Sequence, residues 1–169
     1  REVTEQKRSE NERRIIFDII QGVVTTPNLD EFLKLVHRSI SELVYAENCF
    51  VMLHDAVSDM IHYEFWIDKH DPLPPPGPAG RGFGAYILRT GNPLLITEES
   101  KKRIIDAGEA DQIGSSSPSW LGVALRTPER TIGVLAIQHY KLRNAYDQRD
   151  LEFLASVGDQ IALAIERKR

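Results

Sequence analysis

The chain has 169 residues, about the length of one domain, and could bury roughly two thirds of its unfolded surface in one core. Hydrophobic residues make up 41%, charged residues 27%, and the net charge is -4, which excludes a strongly basic protein and predicts no nucleic-acid partner. The longest apolar runs are a few residues, far short of the about 20 that span a bilayer, so we expect a soluble fragment without direct membrane contact. The single cysteine, Cys49, cannot form an internal disulfide, which favours a reducing, cytoplasmic location.

Residues 1–27 predict a connecting helix that ends in a break at Thr25 to Pro27. Isoleucine and valine recur at helical spacing from Ile15 to Val24, forming an apolar seam that another helix must cover. Two interpretations stay open, a helix that pairs with a partner helix and a helix that packs on its own domain. Because the chain begins with Arg1 and both ends lie within helical patterns, we expect it to be part of a longer protein.

A second helix and a hairpin follow. Asn28, with Glu31 three residues later, predicts a helix start, and apolar residues form one face of that helix through to about Tyr45. Residues 48–54 and 60–67 then predict two adjacent strands joined by a short polar turn. Both faces of the first strand are apolar, so we expect both to be covered.

The next segment is rich in proline and glycine. Five prolines between residues 68 and 80 predict a stiff surface loop outside the sheet. The stretch 80–96 then predicts a glycine loop, a short helix stopped by Gly91 and Pro93, and a brief buried strand. It is the segment around which we expect the fold to be arranged.

The last part of the chain predicts a mobile polar region, a second hairpin and a long helix. Residues 97–119 are polar and irregular apart from a helix-capable stretch at 101–107, and residues 120–125 and 131–139 alternate as central strands. Asp147 is predicted to cap the final helix, in which Leu151, Leu154, Gly158, Ile161 and Ile165 form a seven-residue repeat that favours close approach of a second helix.

Two sequence motifs carry a family resemblance, GFGAYILRTGNPLLI at residues 82–96 and SWLGVAL at 119–125 with TIGVLAIQ at 131–138. The first resembles the central motif of the GAF family of small-molecule sensory domains, and the second resembles the paired late strands of that family. The resemblance implies an α+β fold, with a central antiparallel sheet, the N- and C-terminal helices on one face and a loop-enclosed pocket on the other. The GAF domain would then occupy residues 28–169.

The resemblance also implies where a ligand would bind. In GAF relatives the segments that enclose the ligand carry, in this chain, a set of mostly aromatic residues suited to a small-molecule pocket: Phe50, Met52, Trp66, Phe83, Tyr86, Trp120 and His139. The alternative is that these side chains only fill the core. The motifs indicate the fold and do not identify a ligand, so the cofactor stays unknown.

Several specific chemistries are disfavoured. The glycine-rich stretch at 80–85 is not preceded by a strand, which a dinucleotide-binding site requires. His54 and His62 supply only two of the three or four ligands that a metal site needs. Of the positions implied for cyclic-nucleotide binding, only Asp150 matches. Cys49 lies in a predicted strand rather than a bilin-attachment loop, and one cysteine is too few for the thiol exchange of methionine sulfoxide reduction.

The prediction is therefore a non-catalytic sensory and dimerisation module of a bacterial signal-transduction protein. VTEQKR at residues 3–8 resembles the tail that follows PAS domains in bacterial sensors, which favours a histidine kinase of a two-component system as the parent. We expect a homodimer through the terminal helices and an unidentified small-molecule ligand. Two alternatives stay open, a GAF-fold enzyme with redox or nucleotide-dependent activity and a purely structural dimerisation spacer.

Overall fold

The computed structural model describes residues 2–168, which form five helices and six strands. None of the described helices is both long and apolar enough to cross a membrane. In chain order the elements are α1 (Glu2–Thr25), α2 (Leu29–Ile40), β1 (Asn48–Asp55), β2 (Met60–Ile67), β3 (Gly77–Pro78), α3 (Phe83–Thr90), β4 (Leu94–Ile96), α4 (Glu98–Asp106), β5 (Ser119–Arg126), β6 (Thr131–His139) and α5 (Gln148–Lys168).

The six strands form one antiparallel sheet with the order β3-β2-β1-β6-β5-β4. Its centre is β6, which pairs with β1 on one side and β5 on the other, so that Ile137 lies opposite both Cys49 and Leu121. The α+β architecture predicted from the sequence is confirmed.

One face of the sheet packs against α1, α2 and α5. Their buried apolar residues, including Ile19, Phe32 and Leu154, join Val51 and Leu121 of the sheet in the larger core cluster. Local capping supports α2 and α5, because polar side chains at the first turn satisfy backbone N–H groups that have no intrahelical partner.

The predicted helix starts are present. The Asn28 side chain accepts a hydrogen bond from the backbone N–H of Glu31 at 2.9 Å. At the start of α5, the Asp150 N–H donates to the Asp147 carboxylate at 3.0 Å, and the Asp147 N–H donates to Asp150 at 2.9 Å. This reciprocal pair is a capping box with aspartate in both positions.

The other face of the sheet is covered by α3, α4 and two loops. A smaller core cluster there includes Met52, Ile87, Ile104 and Val134. The short α3 ends as predicted, because Gly91 adopts the left-handed conformation with φ 74° and its N–H donates to the Ile87 carbonyl at 2.7 Å.

Two details of the predicted fold are wrong. The helix expected to reach Tyr45 ends at Ile40, because beyond Ser41 the N–H groups of Glu42 and Leu43 donate to carbonyls three residues back instead of four, and the chain turns there. The proline-rich loop also contributes β3, in which Pro78 lies opposite Met60. Proline is tolerated because β3 is an edge strand, where a missing N–H breaks no internal ladder.

The terminal helices pack mainly on their own domain. Ile15, Ile19 and Val23 of α1 are buried in the larger cluster. A Cβ at Gly158 of α5 would lie 3.2 Å from Val123 and 3.3 Å from the Ala124 carbonyl of β5. The close approach expected at Gly158 is therefore made by the sheet of the same chain, and only the outer surfaces of α1 and α5 stay exposed.

Candidate functional site

A cavity of about 400 Å³ lies between the sheet, the start of α3 and two loops. Strands β1, β2, β5 and β6 form its floor, and the loops at residues 71–75 and 112–114 form its roof. Its lining is mostly aromatic and aliphatic with three polar side chains: Phe50, Met52, Tyr63, Trp66, Asp71, Pro72, Leu73, Pro74, Pro75, Gly82, Phe83, Gly84, Ala85, Gln112, Ile113, Gly114, Trp120 and Gln138.

The aromatic rings of the lining contact one another. Phe50 is the centre of the group, with ring centroids 5.3 Å from Tyr63, 5.7 Å from Trp66 and 6.4 Å from Trp120. Trp120 also meets Phe83 edge to face at 5.4 Å. The mixture of stacked and perpendicular rings presents both ring faces and ring edges around the cavity.

A β-bulge in β2 creates part of this arrangement. Val51 lies opposite Phe65, but Met52 lies opposite Tyr63, so Glu64 is an extra residue in β2. The bulge reverses the alternation of side chains, and Tyr63 therefore joins Trp66 on the cavity face although the two are an odd number of residues apart.

The two roof loops are tied together by Asp71 and Ser115. The Asp71 carboxylate accepts from the Ser115 N–H at 2.8 Å and from the Ser115 hydroxyl at 2.7 Å. Gly114 allows this approach, because its φ is 76° and a Cβ there would lie 2.7 Å from the Asp71 carboxylate. The roof is thus closed by hydrogen bonds and not by an apolar core.

Asp71 is ionised at neutral pH. Partial burial acts to raise the pKa of Asp71, but the hydrogen bonds from the side chain and backbone of Ser115 and from Tyr140 outweigh it and hold the pKa below its ordinary value. Burial, with the hydrogen bond to Asp68, raises the pKa of Tyr140, which keeps its hydroxyl a donor. The roof therefore carries a fixed negative charge beside the aromatic rings.

Gln138 and Gln112 supply the neutral polar groups. The Gln138 amide is engaged on both sides, since its Nε2 donates to Asp68 at 3.2 Å and its Oε1 accepts from the Ser117 hydroxyl at 2.9 Å. Gln112 differs, because its Nε2 donates to the carbonyls of Ile113 and Ser115 while its buried Oε1 has no partner. A buried acceptor without a donor is costly, and a ligand N–H or O–H would satisfy it.

The structure brings together five of the seven residues expected at the pocket. Phe50, Met52, Trp66, Phe83 and Trp120 all line the cavity. Tyr86 and His139 do not line it. Tyr86 packs on the smaller core cluster, where the Arg89 guanidinium lies 5.6 Å from its ring centroid. His139 lies on the opposite face of the sheet, stacked on Tyr45 at 4.0 Å.

Sequence reasoning missed Tyr63, Asp71, Gln112 and Gln138. Gln138 precedes His139 in β6 and shares the cavity face with Val134 and Ala136. The alternation of side chains along β6 could therefore have predicted that Gln138 lines the cavity. Tyr63 depends on a bulge that no local pattern indicated. Asp71 and Gln112 come from separate loops.

The chain's one cysteine is not placed for catalysis. Cys49 is 4% exposed in β1 and belongs to the larger core cluster, on the helix-covered face. Burial raises the pKa of the Cys49 thiol to about 12, so the nucleophilic thiolate is scarce at neutral pH. Within residues 2–168, no group of three or more His, Cys, Asp or Glu side chains is arranged to hold a metal ion.

Comparison with known proteins places the chain in a family. The family model described as GAF domain matches residues 28–165, and the chain belongs to the GAF domain family. Family membership and the cavity beneath the roof loops support a sensory or ligand-binding domain. Among curated proteins, none matches the chain.

Solved GAF-fold structures superpose over nearly the whole chain. The GAF domain of an Acinetobacter phosphoenolpyruvate-protein phosphotransferase has a TM-score of 0.73 at 14% identity, covering 95% of this chain and 93% of that one. Free methionine-R-sulfoxide reductase from Neisseria meningitidis, in complex with its substrate, has a TM-score of 0.71 at 21% identity, covering 94% and 90%. A GAF domain of A. aeolicus in an inactive state has a TM-score of 0.73 at 12% identity, covering 96% and 99%. At these identities the likeness concerns the fold.

Proposed function

We propose that this chain is a non-catalytic sensory and dimerisation domain of a bacterial signalling protein, and that it binds a small molecule in the cavity on the sheet. The observation that carries the proposal is the cavity itself. It is bordered by aromatic rings, closed by two hydrogen-bonded loops and provided with a buried acceptor that has no partner.

The sheet offers a direct route from the cavity to the terminal helices. Trp120 and Gln138 border the cavity, while the neighbouring residues Leu121 and Ile137 are buried against the helices on the other face. Gly158 lets α5 approach the backbone of β5 closely. A ligand that displaces β5 or β6 would therefore move α5 with them, because close-packed interfaces transmit small shifts.

The outer surfaces of the terminal helices support a homodimer. On α1, Phe17, Ile20 and Val24 are 59%, 42% and 76% exposed, and Leu163 on α5 is 44% exposed. A groove of about 660 Å³ lies between the two helices and includes Ile16, Phe17 and Ile20. Exposed apolar residues beside a groove are typical of an interface, and a second copy would cover them. Rotation of the paired helices would then bias an output domain such as a histidine kinase.

The buried thiol favours the non-catalytic form of the proposal over a redox enzyme. Methionine sulfoxide reduction by thiol exchange requires an attacking and a resolving cysteine, whereas this chain has one cysteine, which is buried in the sheet. A purely structural spacer would have the same dimer but no ligand.

A thermal-shift screen of small molecules, combined with native mass spectrometry, tests the proposal. We expect at least one compound to raise the melting temperature of the wild-type protein and dimers to be the main species. Gly84→Leu should abolish the stabilisation, because a Cβ at Gly84 already lies 3.3 Å from Met52 within the cavity. Gly77→Leu is the matched control, since a Cβ at Gly77 meets nothing within 4 Å. Stabilisation that survives in Gly84→Leu would contradict the proposed site.

A paired substitution tests the dimer. Phe17→Glu should convert dimers to folded monomers, because it places a charge in an apolar contact. Val57→Glu, on a hairpin turn where Val57 is 97% exposed, should leave the oligomeric state unchanged. A monomeric wild-type protein at high concentration would contradict the dimerisation part of the proposal and leave the ligand site to its own test.

A further inference from the structure

The charge that lines the cavity is of one sign. Among the described residues that line it, Asp71 is the one charged side chain, and no lysine, arginine or histidine contributes to the lining. The ammonium of Lys101 donates to the Ser116 hydroxyl and the Ser117 carbonyl without lining the cavity. The His70 ring, next to Asp71 in the chain, packs edge-on against Tyr140 instead. An anionic ligand would meet a carboxylate and no compensating cation.

The carboxylate and the free acceptor lie at the same end of the cavity. Ser115 connects them, since its carbonyl accepts from Gln112 at 3.4 Å while its N–H and hydroxyl donate to Asp71 at 2.8 and 2.7 Å. The orientation of the Gln112 amide is set by its neighbours. Both groups near its Nε2 are carbonyl oxygens, so the amide nitrogen must face them and Oε1 is left as the acceptor.

Aromatic rings surround this polar end. Trp66 is held beside it, because its indole N–H donates to the Asp71 carbonyl at 3.1 Å. Trp66 meets Tyr63 edge to face at 5.0 Å and stacks with Phe50. Aromatic faces attract organic cations through their quadrupole, and an adjacent carboxylate adds to that attraction.

We propose that the ligand is an organic cation, with an ammonium group held by Trp66, Tyr63 and Asp71 and an N–H donated to Gln112 Oε1. The apolar remainder of the ligand contacts Phe83, Trp120 and Met52. This inference rests on the proposed function, because it names the ligand class for the same cavity. The volume of about 400 Å³ accommodates an aryl-alkyl amine.

Isothermal titration calorimetry with four probes of similar size tests the charge preference. The probes are 3-phenylpropylammonium, its N,N,N-trimethyl derivative, 3-phenylpropanol and 3-phenylpropionate. We expect both cations to bind about tenfold more tightly than the alcohol, and the carboxylate to bind most weakly. Equal or tighter binding of the alcohol or the carboxylate would overturn the inference.

Two substitutions separate the roles of the polar groups. Asp71→Asn should bring the cations to within about twofold of the alcohol and strengthen binding of the carboxylate, whereas damage to the loop alone would weaken all four probes equally. Asp111→Asn is the matched control, because Asp111 pairs with Arg81 at the surface and does not line the cavity. Gln112→Met should weaken the primary ammonium about fivefold and leave the trimethyl derivative unchanged, since only the former donates an N–H.

The outcomes also separate this inference from the proposed function. If an anion or a neutral compound binds best and Gly84→Leu blocks it, the cavity is a ligand site but the cation assignment is wrong. If none of the four probes binds while the screen yields a ligand of another charge, the inference is likewise overturned and the sensory proposal stands. A uniform loss of all probes in Asp71→Asn also contradicts the role given to the carboxylate.

Discussion

The two faces of the sheet are covered differently, although the same central strands supply both faces through alternating side chains. On the helix-covered face, Val51, Leu121 and Ile137 are buried in one close-packed cluster with α2 and α5. On the other face, Met52, Trp120 and Gln138 border a cavity roofed by loops. The helix face is held by apolar packing, whereas the roof is held by hydrogen bonds such as Asp71 to Ser115. We infer that stability resides on one face and adaptability on the other, as expected where a ligand must enter.

The largest expected effect is on the helix face. Leu154→Ala should lower the free energy of unfolding by about 3 kcal/mol, because Leu154 is 0% exposed and its removal leaves a cavity. Leu163→Ala is the matched control on the same helix, where the side chain is 44% exposed, and it should cost less than about 1 kcal/mol. Urea unfolding of both variants in the Phe17→Glu background, which we propose to be monomeric, measures the two costs. Equal costs would contradict the assignment of the core to this face.

Two glycines extend the comparison of the two faces. A Cβ at Gly133 would overlap the Met52 carbonyl of the neighbouring strand, so Gly133→Ala should destabilise the protein by about 2 kcal/mol because a strand must shift. At Gly84, by contrast, the nearest atoms to a Cβ are at the end of the flexible Met52 side chain, 3.3 Å away, and the Phe50 ring follows at 3.8 Å, an ordinary van der Waals distance. Gly84→Ala should be neutral or stabilise α3 by up to about 1 kcal/mol, because alanine favours a helix. Thermal unfolding distinguishes the two, and similar losses would show that the cavity face is as tightly packed as the other.

The roof should open in acid. The pKa of Asp71 in the folded protein is depressed below its ordinary value of 3.8, so its stabilising effect is complete above that value and is lost as the pH falls through the folded pKa. We expect the Ser115 amide to lose protection from exchange below about pH 4, at a cost of less than about 1 kcal/mol because the group is partly exposed. NMR measurements from pH 6 to pH 3 test this. Asp71→Asn should show no such pH dependence.

The smallest expected effect is at Cys49. Burial raises the pKa of the Cys49 thiol to about 12, so the reactive thiolate is scarce at pH 8, and the side chain is shielded from solvent. Alkylating reagent should therefore modify Cys49 only at the rate of unfolding, and the same reagent should react at once in denaturant. Rapid modification of the native protein would contradict this prediction and favour the redox-enzyme alternative.

The fold was predictable because its local signals are strong. The capping by Asn28, the left-handed stop at Gly91 and the two hairpins each depend on a few neighbouring residues and are present in the structure. The GAF resemblance of residues 82–96 and 119–138 then supplied the arrangement of the elements.

The cavity was predictable only in part. The five expected residues that line it were implied by the GAF resemblance, which indicates the segments that enclose a ligand. Tyr63 required a bulge at Glu64, and the contrast between Gln138 and His139 depended on which face the helices cover. Asp71 and Gln112 are linked through Ser115, which lies 44 residues after Asp71 in the chain, and no sequence periodicity encodes a contact between such distant residues.

Hydrogen exchange measured by mass spectrometry, with and without the most stabilising compound from the screen, tests whether the cavity under the roof loops is the ligand site. We expect slower exchange in the roof loops at residues 71–75 and 112–114, together with changed exchange in β5 and α5. Slower exchange confined to the groove between α1 and α5, with the roof loops unchanged, would contradict it.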